Sequence, residues 1–426
     1  MNTPSLLEDL HYRGLIAQVS DEARLARHLA EGSRTIYAGF DPTSDSLHIG
    51  NLVPLITLRR FQLAGHRPIL LLGGATGLIG DPSGRSAERN LNTGDVVAEW
   101  VGRIRGQVEG FVDFTGNNAA VIVNNLDWTQ RLDVVSFLRD VGKHFSVNQM
   151  IQRESVRSRI EREGEGISYT EFSYMLLQAM DYLELARRYD CTLQIGGSDQ
   201  WGNILSGLDL VRRVLARESF GLTLPLITKA DGSKFGKTAA GAVWLAPEKT
   251  SPFSFYQFWL NSADAEVVAY LKIFTFLDHT ELAQLAEQTA TSPQARAAQR
   301  RLAREVTAMV HGDDALASAE RITETLFDGD VHALSEDDLR QLEQDGVDKT
   351  HISEDTAGLL SALVESGLAS SRGAARKLVQ SSGIRVNGIV QTDVERELDW
   401  RDALFGRYYL LRRGKKHWQL LVRSGA

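Results

Sequence analysis

The alternation of apolar and polar positions divides the chain into three stretches of different character. Over roughly the first 245 residues, short apolar runs alternate with helical periodicity. Ser5-Leu6-Leu7-Glu8 has the form of a capping box that opens a first helix. Thr35-Ile36-Tyr37-Ala38-Gly39-Phe40 predicts a strand running into an Asp41-Pro42-Thr43 turn. A helix is predicted over about 48–64, with Gly65 just past its end. Pro54 is expected to kink that helix, because it removes the bond to the Gly50 carbonyl. Pro68-Ile69-Leu70-Leu71-Leu72 has no polar alternation, which predicts a strand covered on both faces. Strand-then-helix units recur at 120–124 and 191–196, so the expected fold is α/β, a parallel sheet with helices packed on it.

From about 254 to 327 the strand signals vanish. AQRRLAREVTAMVHG and ALASAERITETLF repeat apolar residues at helical spacing. Residues 328–356 are acidic and poor in aromatics, as in a connector with some helix. From Gly358 two short helices are predicted, at 359–366 and 372–380. A strand and tight turn at 383–388 and further strands follow. The expected domains are 1–246, a helical 247–330, a linker 331–357 and a small α+β module over 358–426.

A chain of 426 residues exceeds one compact core. With 43% hydrophobic and 24% charged residues it has the composition of a globular protein. No apolar run reaches the ~18–20 residues needed to span a bilayer. The first residues carry acids where a signal peptide carries a basic segment. Cys191 is the only cysteine, which rules out an internal disulfide and argues against a cysteine-based zinc site. These features point to the cytosol. The net charge of −8 argues weakly against a nucleic-acid partner. That average conceals an asymmetry, because residues 367–426 hold twelve basic and five acidic side chains. An acidic body with a basic end can bind an acidic partner locally.

Four constellations carry candidate chemistry. His48-Ile49-Gly50-Asn51 falls at a helix start just after a strand, where free backbone N–H groups attract phosphate. Taken alone it is equally a plain capped turn. Ser233-Lys234-Phe235-Gly236-Lys237-Thr238 puts two lysines three apart on a glycine-bearing loop that could meet a polyphosphate. It is not a P-loop, because Asp231 stands where the first glycine belongs and a strand follows; taken alone it could be a solvated hairpin tip. Tyr174, Gln178 and Asp181 share one face of an otherwise apolar helix, so the carboxylate is buried and must be paired or hydrogen-bonded. Either a substrate site or an internally satisfied core network would do that. Gly196-Gly197-Ser198-Asp199-Gln200 ends a strand with a good cap, at the sheet edge where ligands bind in open α/β folds. The stretch Gly73–Asp81 lacks G-x-G-x-x-G, which excludes a dinucleotide fingerprint.

An early H-x-G-x after the first strand, with a K-x-x-K-[ST] loop some 180 residues later, resembles the paired signatures of the class I aminoacyl-tRNA synthetases. YAGFDPTSDSLHIGN, GDPSGR, GKHFSVNQMI, EFSYMLLQAMD, LQIGGSDQWGN, KADGSKFGKT, YQFW and LLRRGKK extend the resemblance over essentially the full length, to the bacterial tyrosyl-tRNA synthetases. The chain departs from the family pattern in three places. Asn51 stands where a second histidine is usual, the loop reads KFGKT rather than KMSKS, and Arg85 replaces a common lysine. An asparagine still donates a hydrogen bond but cannot become cationic.

The resemblance implies a Rossmann-like catalytic domain, then an α-helical domain and an S4-like RNA-binding module. It implies activation of L-tyrosine with ATP, with Mg²⁺ arriving on the ATP, and transfer to tRNA(Tyr). It assigns the tyrosine phenol to Tyr37 and Asp181, the α-amino group to Tyr174 and Gln178 assisted by Asp81, and the carboxyl region to Gln200. Gly39, Asp41, His48, Gly50, Asn51, Gly197, Asp199, Arg89 and Lys237 would line the ATP site, with the ribose at Gly197 and Asp199. Thr43, His48, Lys234, Lys237 and Thr238 would act on the phosphates. Arg212 and Arg213 would lie near the tRNA acceptor stem, and Arg372, Arg376, Lys377, Arg412, Arg413, Lys415 and Lys416 would bind tRNA through the basic tail. The resemblance further implies a homodimer, with 145–151 and Tyr169 near its interface. Tryptophanyl-tRNA synthetase shares both signatures, and a non-catalytic RNA-binding relative would need neither.

Overall fold

A computed structural model describes residues 4–83, 91–161, 166–228, 232, 235–238, 241–327, 330–353 and 356–424. It forms two compact units, one of residues 1–245 and 263–294, the other of 246–262 and 295–426.

The first unit is built on a six-stranded sheet. Its strands are β1 (Gln18–Val19), β2 (Thr35–Phe40), β3 (Arg67–Leu72), β4 (Val121–Asn124), β5 (Cys191–Gly197) and β6 (Phe220–Leu224), in the order β1-β6-β5-β2-β3-β4. β2 to β6 are parallel, and the short β1 closes the edge antiparallel to β6. β3 follows the apolar run, with five of its six residues buried. The chain leaves β2 toward β3 and β4 on one side, while β5 and β6 fill the other. The switch point therefore lies between β2 and β5, and a crevice opens at their carboxyl ends.

Two helices define that crevice. Helix Leu52–Leu63 is preceded by a 3₁₀ turn, Ile49–Asn51. Pro54 is its third residue, where backbone N–H groups lack intrahelical partners anyway, so it starts the α-helix rather than interrupting it. The long helix Tyr169–Tyr189 is capped by Ser168, whose side chain accepts from Glu171 N–H, and ends on Asp190 in the left-handed region. Eleven of its 21 residues are buried, including Tyr174 and Asp181.

Helices Asp264–Phe274 and His279–Thr291, expected in the helical domain, belong to the first unit instead. Thr275 and Leu277, which follow the first of them, offer buried backbone carbonyls to Arg13 and Arg60 of that unit.

In the second unit, helices Pro252–Leu260, Ala297–His311 and Asp313–Phe327 pack together. The stretch 331–357 is more than a connector. It forms helix Glu336–Gln341 and strand Asp348–Ile352, which pairs parallel with the last strand, His417–Arg423. Phe253, Ile322, Leu339, Leu342, Tyr408, Leu410, Leu420 and Val422 share one core. Helices Leu359–Glu365 and Arg372–Gln380 fall where periodicity puts them. Strands Ile384–Val386 and Ile389–Gln391 meet at an Asn387-Gly388 turn with both φ angles positive, the hairpin form that Asn-Gly favours.

Candidate active site

The carboxyl ends of β2, β3, β4 and β5 bring the predicted polar residues together. Tyr37 is 1% exposed, and its hydroxyl has no hydrogen-bond partner among the described residues. Its ring meets Tyr182 edge-on at 5.2 Å. Nearby, Asp181 is 2% exposed. One of its oxygens accepts from Asn125 Nδ2 and the other from Trp128 Nε1, each at 2.9 Å. Burial pushes the Asp181 carboxyl up to about 7, although both hydrogen bonds pull the other way. The Asp181 charge, after burial itself, helps to raise the Tyr37 phenol.

A continuous network runs from Asp181 to the turn after β2. Asn125 Nδ2 also donates to Thr76 Oγ1 at 2.9 Å, and Thr76 donates to Asp41 Oδ1 at 2.6 Å. Tyr174 donates its hydroxyl to Asp41 Oδ2 at 2.6 Å. Gly73 makes this possible, since a Cβ there would collide with the Asp41 carboxylate and Thr76 Oγ1. Farther along, Gln200 Nε2 donates to Asp81 Oδ2 at 2.6 Å, and Asp81 Oδ1 accepts from Ser83 N–H at 2.9 Å. Gln178 Oε1 accepts from Asn203 Nδ2 at 3.0 Å. Tyr174, Gln178 and Asp81 thus all present oxygen acceptors, the chemistry that suits an ammonium group.

Gly39 lies on β2 between buried Ala38 and Phe40, yet it is exposed, and a Cβ built there meets nothing within 4 Å. The space over it is open at the centre of the crevice. Gly197, across the switch point, instead abuts the carboxylate of Asp199. The Asp199 carboxyl reaches solvent at the rim of the site and is raised by desolvation and by the Asp81 charge.

The two signature segments meet through a third strand-like segment. Ile49 N–H donates to Val243 O at 3.0 Å, Leu245 N–H to Leu47 O at 2.8 Å, and Val243 N–H to Gly236 O at 2.9 Å. His48 Nδ1 accepts from Gly50 N–H at 3.0 Å, and Asn51 Oδ1 accepts from His48 N–H at 3.0 Å. The asparagine in the place of the usual histidine therefore closes the turn with its carbonyl oxygen. The His48 ring has an open edge, but desolvation by the crowded turn lowers its pKa, which keeps it neutral at pH 7. A Cβ on Gly50 would stand 2.8 Å from His48 Cε1. Thr43 is exposed on the turn after β2. Lys237–Thr238 pairs with Gly241–Ala242 in a short hairpin. Lys234 and Arg89 lie outside the described residues, as do the side chains of Lys237 and Thr238.

The basic candidates divide into paired and less constrained groups. Arg212 and Arg213 both engage Asp209, at 2.5 and 2.6 Å. In the second unit, Arg372 donates to Ser361 Oγ at 2.6 Å, and Arg376 stands 3.4 Å from Glu395. Lys377 lies on the same helix, and Lys415 and Lys416 are exposed in the last hairpin turn. Arg412 covers the Trp418 ring at 4.8 Å, and Arg413 donates to Leu368 O at 2.5 Å, so both arginines also serve the fold. Tyr408 and Tyr409 are core residues, at 0% and 1% exposure.

Asn125, Trp128, Thr76 and Asn203 were not singled out from sequence. Asn125 and Trp128 come just after β4, and that position at the carboxyl edge of a parallel strand is the signal that could have found those two.

The family described as "tRNA synthetases class I (W and Y)" matches residues 29–328, and the "Tyrosine--tRNA ligase SYY-like C-terminal domain" matches 338–421. The tyrosine–tRNA ligase of Serratia proteamaculans is 56% identical over 422 residues, 99% of each chain. That of Dechloromonas aromatica is 55% identical over 416 residues, 98% of each. Among solved structures, a C-terminally truncated mitochondrial tyrosyl-tRNA synthetase of Aspergillus nidulans matches with a TM-score of 0.69 at 31% identity. That match covers 76% of this chain and 95% of the other. Full-length identity at this level, with both the catalytic and the C-terminal regions matched, shows that the chain belongs to the class I aminoacyl-tRNA synthetases, on the tyrosine–tRNA ligase branch.

Proposed function

We propose that the crevice between β2 and β5 activates L-tyrosine with ATP and that the product is passed to tRNA(Tyr). The observation that carries the reading is the Tyr37 hydroxyl, buried beside Asp181 without a partner among the described residues. A buried hydroxyl costs about 1–3 kcal/mol when unpaired, and a substrate phenol satisfies it by accepting from Tyr37 and donating to Asp181. The α-ammonium group then meets Tyr174, Gln178 and Asp81, and the carboxylate faces Gln200. Asp41, Gly39, Gly50, Asn51, Gly197 and Asp199 form the nucleotide side, with Arg89 and Lys237.

The tyrosine carboxylate attacks the α-phosphorus of ATP. The bond to the bridging oxygen breaks, and pyrophosphate leaves with its added charge. The terminal ribose hydroxyl of the tRNA then attacks the acyl carbon, and AMP leaves. Because the substrate is the first nucleophile, the chain supplies positioning and charge stabilisation rather than a covalent intermediate. Thr43 and His48 serve the phosphates from the turn side, and Lys234, Lys237 and Thr238 from the loop side. Mg²⁺ enters with ATP.

The basic face of helix Arg372–Gln380, with Lys415 and Lys416, contacts tRNA, aided by Arg412 and Arg413; Arg212 and Arg213 serve the acceptor stem. The protein works as a cytosolic homodimer. Val134, Val135, Leu138, Val147, Ile151 and Tyr169 are exposed apolar side chains, from 41% to 73%, on the insertion between β4 and the long helix and at the start of that helix. Exposure of that kind favours a protein partner. Amino-acid-dependent ATP–pyrophosphate exchange tests the activation step. Absence of exchange with tyrosine would overturn it.

A further inference from the structure

We propose that Phe235 is a positioning residue: its aromatic stack on helix Asp264–Phe274 fixes the loop backbone that leads into Lys237, and so sets the rate of adenylate formation. The inference rests on the tyrosine-activation reading above and concerns how the loop chemistry is held in place.

Between Asp231 and Thr238 the only apolar side chain is Phe235. Its ring stacks on Phe274 at 5.3 Å with an interplanar angle of 17° and meets Tyr270 at 5.2 Å and 55°. Phe274 and Tyr270 are buried, at 0% and 4% exposure, whereas Phe235 is half-buried. An aromatic pair of this geometry contributes about 0.5–1.5 kcal/mol beyond burial, enough to hold one point of an otherwise polar loop. Consecutive Cα atoms are about 3.8 Å apart, so fixing Phe235 limits how far the backbone of Lys237, two residues on, can move.

The next residue supplies a second fixed point. Gly236 adopts φ +79°, and a Cβ there would stand 2.8 Å from Ile49 Cγ1. Its carbonyl accepts from Val243 N–H, whose own carbonyl accepts from Ile49 N–H. The loop backbone is thereby laced to the turn that carries His48.

The support beneath Phe235 is tied to the same turn. Arg60 lies on helix Leu52–Leu63, which starts directly after that turn. It donates to the Thr275 carbonyl just past the end of helix Asp264–Phe274. Arg13 donates to Lys272 O at 3.1 Å and to Leu277 O at 2.8 Å. Two guanidinium groups at a helix C-terminus complement its dipole. Asp9 lies between them, 2.9 Å from Arg13 Nε and 3.6 Å from Arg60 Nη1, and offsets their mutual repulsion. Both arginines are buried, at 5% and 6% exposure. The helix under Phe235 and the helix behind His48 are therefore held as one frame, and the stack sets the loop in that frame.

The test measures single-turnover tyrosyl-adenylate formation in the full-length protein for Phe235→Ala, Phe235→Tyr, Phe274→Leu and Phe235→Ala/Phe274→Leu. Misplacing a charge-stabilising group by about 1 Å costs up to about 10²-fold. Phe235→Ala should slow the step by about tenfold or more, with tyrosine affinity within about twofold of wild type. Phe235→Tyr should restore the rate. The double variant should be no slower than Phe235→Ala, because one substitution already removes the stack. A wild-type rate for Phe235→Ala, a tyrosine affinity that falls as far as the rate, or multiplying effects in the double variant would each overturn the proposal. Should Phe274→Leu fail to fold, the comparison of Phe235→Ala with Phe235→Tyr decides alone, since that ring is half-buried on a loop. No adenylate from wild type would overturn the activation reading instead.

Discussion

Replacing Asp181 by asparagine keeps the shape of the side chain and removes its charge. In the native pocket two donors, Asn125 Nδ2 and Trp128 Nε1, each point at one carboxylate oxygen at 2.9 Å. An amide offers one oxygen and turns its NH₂ toward the second donor. One buried N–H is then stranded, at a cost to the folded protein of about 1–3 kcal/mol whichever substrate is present. The substrate-dependent part is separate. A phenol that donated to a carboxylate loses a charge-assisted bond of about 1.5–3 kcal/mol, which corresponds to roughly 10- to 150-fold in kcat/KM for tyrosine. Phenylalanine makes no such bond, so its kcat/KM should change little.

The same carboxyl predicts a pH dependence. Burial raises Asp181 to about 7, and only the ionised form is a pure acceptor. Between pH 8 and pH 6 the ionised fraction falls roughly tenfold, and kcat/KM for tyrosine should fall with it while that for phenylalanine does not. Stability runs the other way. The unfolded carboxyl titrates near about 4, so between about pH 4 and 7 only the folded state holds this proton. The group's contribution to stability is therefore lost as pH rises through about 7. The assay is pyrophosphate exchange with tyrosine and phenylalanine from pH 5.5 to 8.5, for wild type and Asp181→Asn. An unchanged tyrosine-to-phenylalanine ratio in the variant, or a persisting acid limb, would refute the assignment of the phenol to this carboxylate.

Gly39→Val should leave the melting temperature unchanged, because its Cβ enters open space on a strand. Substrate binding measured by calorimetry should weaken by about tenfold or more as the branched side chain fills the crevice. Arg376→Glu with Lys377→Glu should impair tRNA charging while pyrophosphate exchange stays at the wild-type level. The salt dependence of tRNA binding should become shallower by about one unit of slope per lost phosphate contact. Val135→Asp, which puts a charge on the exposed apolar insertion, should convert a particle of twice the chain mass in sedimentation into one of the single chain.

The parallel strands and the long helix were legible because their periodicities are local. The run 68–72 is apolar throughout. In the helix carrying Tyr174, Gln178 and Asp181, the apolar stretch after its first turn holds one buried acid, Asp181, while a second, Glu171, sits buried in that first turn. Those three residues share one face because their spacing of four and three repeats the helical turn, and two of them, Tyr174 and Asp181, reach one network through Asp41, Thr76 and Asn125. The partners of Asp181 were not legible, since Asn125 and Trp128 come from a different strand end, and nothing in their neighbourhood marks them except that position. The membership of helices Asp264–Phe274 and His279–Thr291 was also hidden. Periodicity identifies a helix but not what it packs on, and here Arg13 and Arg60, more than two hundred residues away, hold the end of the first of them. For the same reason the stretch 331–357 looked like a connector, since the parallel pairing of Asp348–Ile352 with His417–Arg423 is a contact across some seventy residues. Pro54 misled because a proline within a predicted helix reads as an interruption until the true first turn is known.

The central claim is that this crevice reads a phenol and adenylates its owner. Pyrophosphate exchange in wild type, run side by side with tyrosine, phenylalanine and tryptophan, tests it most directly. The account predicts strong exchange with tyrosine. It predicts a kcat/KM for phenylalanine lower by at least the roughly 10- to 150-fold that the Asp181 bond supplies, and little exchange with tryptophan. Equal exchange with tyrosine and phenylalanine, or a preference for tryptophan, would contradict it.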